Sequence, residues 1–588
     1  MVPDVLFCNC FRGLADPRQQ PLRRPPWASP MRYLSMYRIV PVSSWWYGTA
    51  WMPMPNEASE RFLRMRMHGE AQGHTLIRVL EREIEPKPRT NGRRKPPRVA
   101  FIMAARRDLG YLCAATTSQG VSGRRVDVSS QTMRGFLEMI DRDFPDEIVR
   151  ITEPVRREFD ITSAVFELER KGRNPVVIFE SVEGFDIPVV TNLAGSRLLL
   201  AAALGVTPEE LPDTLRERRQ IYIPAEVVDD APWREVVMEG DDVDLTRLPI
   251  PLHFDIDAAP YISAGQITAR DPETGVDTTG FHRLMLKGRD RLGVSLHSRR
   301  RMYTYHQKAE ARGEDLPAAV TIGIHPLHYM GSMAYHYPPD VRKLEIIGGL
   351  FGEPYRVTAC GTDGLEVPAG AEIVIEGAIL ADVREPEGPF SELTGYASYR
   401  STENVFVAKR VSMRKDVMFH SVASGMSADH LLIAAVSREA EILNTLKRHL
   451  PTVTGVHVPL NTAGALTAVV GMKKTEEGQP RQAIMAALGT EFYCKCVVVV
   501  DDDVDIFNLS DVMWAVSTRV RAEEDLVFVP GAMGAILDPT SDPETHTLTK
   551  VGVDATKPKG RDFAARLVIP DEQRVRVRGI LERAGIKL

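Results

Sequence analysis

Two carboxylates stand five residues apart in Glu387-Gly-Pro-Phe-Ser-Glu392-Leu-Thr-Gly-Tyr396, divided by Gly388 and Pro389. A Gly-Pro pair breaks a helix and sets a turn, so the spacing predicts a loop and not one helical face. A run with strand alternation, Glu372-Ile-Val-Ile-Glu-Gly377, feeds into it. Paired carboxylates on a loop at a strand end serve as acid and base when their environments separate their pKa values. Taken alone, the same pattern also describes a solvated acidic turn.

Three other groups of residues could do chemistry. His325, His328 and His336 invite a metal reading, but their spacings of three and eight lack the geometry of H-E-x-x-H, so pocket or core histidines are expected. Asp501, Asp502, Asp503 and Asp505 follow an apolar strand and could hold a hard cation. The EF-hand spacing is missing, which favours a polar strand end. Asn192-Leu-Ala-Gly-Ser196 opens a helix and reads either as an anion site at its N-terminus or as a simple cap.

These residues need a large scaffold. At 588 residues the chain has room for about three domains. A hydrophobic content of 44% and a charged content of 26% are ordinary for a globular protein. The net charge of -6 gives no reason to propose nucleic acid as a partner. Six scattered cysteines, including Cys8-x-Cys10 and Cys494-x-Cys496, match neither a disulfide scaffold nor a zinc knuckle, and reduced thiols in the cytoplasm are expected. No apolar run approaches the roughly 18 residues of a membrane span. Residues 1–130 are rich in Arg, Pro, Met and Trp and read as an atypical, disordered extension, with a helix plausible over Leu76–Glu85. A solvated basic tail, a segment foreign to the folded protein with the true start near Met133, and a nucleic-acid arm are the readings of it.

From residue 131 the patterns become regular. Residues 131–240 alternate helix and strand, as in Met133–Ile140, Ile148–Ile151, Ile161–Leu168, Val176–Phe179 and Leu198–Ala203, and predict an α/β domain. Residues 241–430 carry strand signals at Tyr261–Ala269, Gly280–Leu286, Leu292–Leu296 and Ala319–Ile324, with a Pro-Glu-Thr-Gly turn between the first two. Hairpins in series predict a barrel or sandwich. Residues 431–588 return to α/β alternation and end in a helix over Pro570–Ala584, of a kind that often packs on a partner subunit.

At this point the chain resembles the UbiD family, named for 3-polyprenyl-4-hydroxybenzoate carboxy-lyase, from about Met133 to Asp562. Several stretches carry the resemblance jointly. They are Pro188-Val-Val-Thr-Asn-Leu-Ala-Gly-Ser196, Tyr261-Ile-Ser-Ala-Gly265 with Ala269-Arg-Asp-Pro-Glu-Thr-Gly275, Leu365–Gly377, Glu387–Tyr396, Val500–Phe507 with Val512–Arg519, and Gly552-Val-Asp-Ala-Thr-Lys557. They occur in the family's order. The resemblance implies an N-terminal α/β domain, a central flavin-binding split β-barrel and a C-terminal α/β domain for oligomerisation. It implies prenylated FMN supplied by a flavin prenyltransferase, with Mn²⁺ and K⁺, and decarboxylation of an aromatic, heteroaromatic or α,β-unsaturated acid by a homo-oligomer. The family's catalytic arginine and two glutamates match Arg283, Glu387 and Glu392. Arg283 is implied to meet the substrate carboxylate or a charge on the flavin side. Glu392 is implied to be the proton donor, and Glu387 to order the arginine. Thr278, Phe281, His282, Arg283, Ser332, Met333, Lys343 and Lys557 fall at positions implied for cofactor binding.

The family's metal ligands are Asn, His and Glu, and here the pattern departs. Thr278 stands for the Asn; Arg300 or Arg301 stands for the His, with His297 reached only by a shift. Lys343 stands for the Glu, with Glu345 reached by a two-residue shift. Cationic side chains repel a metal, so the metal ligands are left unassigned and Mn²⁺ and K⁺ are doubtful. The expectation is that Lys343 and an arginine hold the flavin phosphate directly. The alternative is a non-catalytic homologue or scaffold subunit with an altered cofactor site.

Overall fold

The computed structural model describes residues 131–296, 300–361 and 363–586, and four strands nearer the N-terminus. Those four, Gly48–Pro53, Phe62–His68, Ile77–Glu83 and Val99–Ala104, pair in chain order into an antiparallel sheet. The helix expected over Leu76–Glu85 is therefore a strand. The β-branched Ile77 and Val79, on either side of Arg78, favour the pleat over the helix. The remaining residues before 131, and His297, lie outside the described residues, as does the expectation of disorder there. Residues 1–122 and 123–588 form two compact units, and all that follows concerns the second.

Its centre is a nine-stranded antiparallel sheet. Two long strands, Ile373–Glu387 and Ser401–Met413, form its middle. Their alternating apolar residues, among them Ile373, Ile375, Ile379, Phe406 and Val411, point into one core. The sheet path is open, with Tyr261–Ile262 at one end and Asp277–Phe281 at the other. A single broken hairpin supplies both ends. The run expected as one strand over 261–269 is split: Tyr261–Ile262 pairs with Leu284–Leu286, and Gln266–Arg270 pairs with Asp277–Phe281. The run expected over 280–286 is split too, and His282 and Arg283 fall in the gap. Ser263, at the first break, leaves the ladder and bonds the Val422 carbonyl at 2.7 Å. A split barrel thus has its seam where Arg283 sits.

Two α/β layers flank this sheet. The N-terminal one has a four-stranded sheet of Ile148–Ile151, Val176–Phe179, Val189–Thr191 and Phe419–His420. Its last strand comes from the end of the barrel segment, which ties the two layers together. The C-terminal one has five strands, with Thr467–Met472, Cys496–Asp501 and Thr547–Ala555 parallel at its centre. The helix Ala428–His449 connects the layers and is buried along much of its length. The last helix, Asp571–Arg583, buries no residue.

Candidate active site

Glu387 is the last residue of the strand Ile373–Glu387, opposite Ser401, so the first of the two carboxylates belongs to a strand and only Glu392 to the loop. The strand fixes Glu387 as a rigid group. The loop turns away at Gly388, whose φ of 82° lies in the left-handed region and whose added Cβ would meet the Tyr399 carbonyl at 2.9 Å. Pro389 follows through a cis peptide bond. Asp257 clamps the turn, accepting from Ser391 N at 2.7 Å and from Phe254 N at 3.0 Å. Burial raises its pKa, against the pull of those N–H donors.

Across the seam, Arg283 joins the two carboxylates. Its Nε and Nη2 donate to the Glu387 oxygens at 3.0 and 2.7 Å, and its Nη1 donates to Glu392. Both carboxylates are buried. Burial works against the guanidinium charge, but Glu392 and Glu387 outweigh it and hold the Arg283 pKa above its ordinary value. The Arg283 fork that a substrate carboxylate was expected to take bidentately is occupied by Glu387. Tyr261 and Phe390 wall this group, their rings 4.5 Å apart, with Arg283 5.4 Å from the Phe390 ring. Burial, and next the Glu387 charge, push the Tyr261 hydroxyl up.

Two residues near Glu392, His430 and Tyr493, gave no signal in sequence because distant elements bring them in. His430, in the first turn of Ala428–His449, donates from Nδ1 to the Gly425 carbonyl at 2.9 Å when that nitrogen carries the proton. Burial lowers its pKa, and the Glu392 charge opposes this in part. Two turns further on, Arg438 lies over the Tyr493 ring at 4.7 Å. Burial pushes Tyr493 up to about 12, with Arg438 opposing and Glu392 adding. Tyr493, from the C-terminal layer, thus lies within range of the Glu392 charge.

The residues implied for cofactor binding fall into two places. Thr278 and Phe281 are on the strand Asp277–Phe281, with Phe281 stacked on Tyr329 at 5.0 Å. His282 and Arg283 follow, and His282 Nδ1 lies 2.9 Å from the Ser295 carbonyl. Ser332 and Met333 end the helix Pro326–Ser332. Lys343 reaches back to them, donating to the Ser332 carbonyl at 2.5 Å and the Thr279 carbonyl at 2.8 Å. Lys557 stands apart from this set, bonded to Asp503 at 3.1 Å. There Arg519 also binds Asp501 at 2.7 Å and Asp503 at 2.9 Å, so cations of the chain fill the aspartate cluster.

The other expectations resolve through partners. His325 caps its own helix through Leu327 N at 3.1 Å, His328 lies 3.2 Å from the Tyr355 hydroxyl, and His336 pairs with Glu441 at 3.2 Å. Burial lowers His325 and His328 to about 3. The N–H groups of Asn192 and Ala194 do face an anion, and it is the buried Asp429, at 2.9 and 3.1 Å. Ser196 caps the following helix. Glu345, the shifted candidate for a metal ligand, instead accepts from the backbone N–H of Arg342 at 3.4 Å. Among the described residues no group of three His, Cys, Asp or Glu is placed to hold a metal.

Three family models match consecutive parts of the chain. They describe the N-terminal domain, the Rift-related domain and the C-terminal domain of 3-octaprenyl-4-hydroxybenzoate carboxy-lyase, at residues 142–219, 226–427 and 431–555. The chain is 36% identical over 426 residues to an anhydromevalonate phosphate decarboxylase of Methanothermobacter thermautotrophicus, covering 72% of this chain and 97% of that one. It is 33% identical over 458 residues to a phenolic acid decarboxylase of Streptomyces sp. (strain D7), covering 74% and 94%. Among solved structures it is similar to the UbiD-class enzyme HmfF from Pelotomaculum thermopropionicum in complex with FMN. That match has a TM-score of 0.72 at 36% identity and covers 76% of this chain and 99% of the other.

Proposed function

Because the chain belongs to the UbiD family of carboxy-lyases, we propose that it removes CO₂ reversibly from an aromatic, heteroaromatic or α,β-unsaturated carboxylic acid with prenylated FMN as cofactor. An evolved dimeric form of the HmfF enzyme carries prenylated FMN, which supports that cofactor here. The observation that carries the reading is the buried Glu387–Arg283–Glu392 group at the barrel seam. One guanidinium faces two buried carboxylates, an arrangement that suits proton transfer by one of them.

Bound there, the flavin would act as the electron sink for the carbon that loses CO₂. The chain's own residues do the rest. Glu387, fixed by its strand, keeps Arg283 oriented. Glu392, on the loop, takes up a proton and loosens from Nη1, which opens that edge of Arg283 to the substrate carboxylate. After CO₂ leaves, Glu392 gives its proton to the substrate carbon. Residues that fit the flavin are Phe281, His282 and the Ser332–Met333 turn, beside arginine N–H groups that lack partners. Thr278, Arg300 and Lys343 do not fit a Mn²⁺ ion, because two of the three are cations where the ion needs oxygen or imidazole ligands.

The wider setting follows the same reading. Among the described residues Cys494 and Cys496 form no disulfide, which supports a reducing cytoplasm. Exposed Phe528 and Met533 on the strand Leu526–Met533 support a homo-oligomer through the C-terminal layer. A flavin prenyltransferase is the expected supplier of the cofactor.

The test is co-expression with a flavin prenyltransferase, followed by the visible spectrum, the mass of the bound flavin and a screen of acids for CO₂ release. A coloured protein that releases CO₂ supports the reading. The altered metal positions favour one rival, a silent homologue, and a colourless protein after full supplementation would establish it.

A further inference from the structure

We propose that Lys343, Arg300 and Arg219 form a metal-free cradle for the flavin phosphate, so that organic cations replace the divalent ion of the family. This rests on the flavin reading above and deepens it.

The three cations converge from separate elements. Lys343 opens the helix Lys343–Phe351, Arg300 precedes the helix Arg301–Glu310, and Arg219 ends the helix Leu211–Arg218. Lys343 spends two of its three N–H donors on the Thr279 and Ser332 carbonyls. Arg219 spends Nη2 on the Met330 carbonyl at 2.5 Å and Ser437 Oγ at 2.7 Å. Met330 and Ser332 end the helix Pro326–Ser332, so capping its carbonyls explains these bonds. It leaves the rest unexplained. Arg219 Nε and Nη1 and Arg300 Nη1 are buried without a hydrogen-bond partner. Arg300 rests its face on the Tyr335 ring at 3.3 Å, which holds its edge in place. Arg301, the alternative in sequence, is committed to the carbonyls of Val341 and Pro338 at 3.1 and 2.8 Å.

The neighbouring carboxylates each have a partner, although Asp277 Oδ1 accepts no hydrogen bond among the described residues. Asp277 and Glu366 bind Arg342, Glu345 caps its own helix, and Glu441 pairs with His336 while standing 3.9 Å from Arg219. The cluster therefore carries surplus positive charge beside orphaned donors. Burial, then Arg300, Arg301 and Arg219, push Lys343 down to about 7. A phosphate dianion answers both the charge and the donors, because its oxygens each accept several hydrogen bonds. A divalent ion worsens the charge and finds cationic groups where it needs oxygen ligands.

The experiment uses the full chain freed of flavin, titrated with FMN and with riboflavin in EDTA and in Mn²⁺, read by flavin fluorescence. The expected result is FMN binding in EDTA, unchanged by Mn²⁺ and about 100-fold tighter than riboflavin. Lys343→Met and Arg300→Met then weaken FMN about tenfold or more each and leave riboflavin unchanged. FMN binding that requires Mn²⁺ overturns the cradle and leaves the decarboxylase reading intact. Equal affinity for FMN and riboflavin overturns it too. Failure of either flavin to bind in any condition overturns the flavin reading itself, and the cradle with it. The wild-type titration decides between these outcomes even if a variant does not fold.

Discussion

Two buried arginines in this chain each hold two carboxylates, and they differ in what fixes those carboxylates. Arg519 binds Asp501 and Asp503 at one strand end, and Lys557 adds a second cation to Asp503. Arg283 binds Glu387, the last residue of a strand, and Glu392, on the loop beyond Gly388. A group gathered at one strand end holds structure together. A group divided between a rigid strand and a loop can release its loop carboxylate when a substrate arrives, which is what the proposed mechanism asks of Glu392. The Lys343 cluster gathers cations instead, and in the proposal above it receives an anion.

The sharpest way to break the comparison is substitution at both arginines. Arg283→Met and Glu392→Gln are each expected to lower kcat by about a thousandfold or more, read as CO₂ release from holoenzyme of unchanged flavin content. Arg519→Met is expected to leave kcat per folded molecule within about twofold but to cost roughly 3–5 kcal/mol of stability, because it strands buried carboxylates. Denaturant melts check that figure. If Arg519→Met silences the enzyme without unfolding it, the distinction fails.

Smaller effects sharpen it. Gly388→Ala is expected to cost about 1–2 kcal/mol and to lower kcat, since alanine resists a φ of 82° and its Cβ presses on Tyr399. The pH dependence at Lys343 has a defined sign. Its pKa is lowered from 10.5 to about 7, with Arg300, Arg301 and Arg219 facing it and His328 neutral. Between those values the unfolded chain binds the extra proton, so the flavin-free protein gains stability as pH rises from 7 towards 10. Thermal melts at pH 7 and 9 should show that gain in wild type and lose it in Lys343→Met. FMN affinity runs the other way, falling by up to about tenfold per pH unit above 7 as the ammonium discharges.

Local chemistry in the sequence determined most of the elements and named the residues of the candidate site. Apolar periodicity predicted the helices at 133–140 and 161–168, which each bury one face, and Leu and Ala content the one at 198–203, buried almost all round; the structure has them at Met133–Asp143, Asp160–Glu169 and Arg197–Leu204. The Gly-Pro pair foretold the turn after Glu387. The motifs carried the family, and with it Arg283, Glu387 and Glu392. Tertiary structure alone decided the rest. Periodicity of two cannot tell one strand from two halves that pair with different neighbours, so the breaks at Ser263 and Arg283 were invisible. Nor does spacing along the chain report which charges meet in space. Arg219, Arg300 and Lys343 stand far apart in sequence, as do Glu392, His430 and Tyr493. Only packing removes water from between them, and it is that removal which gives ordinary charged side chains the strong interactions that the proposed acid and anion sites need.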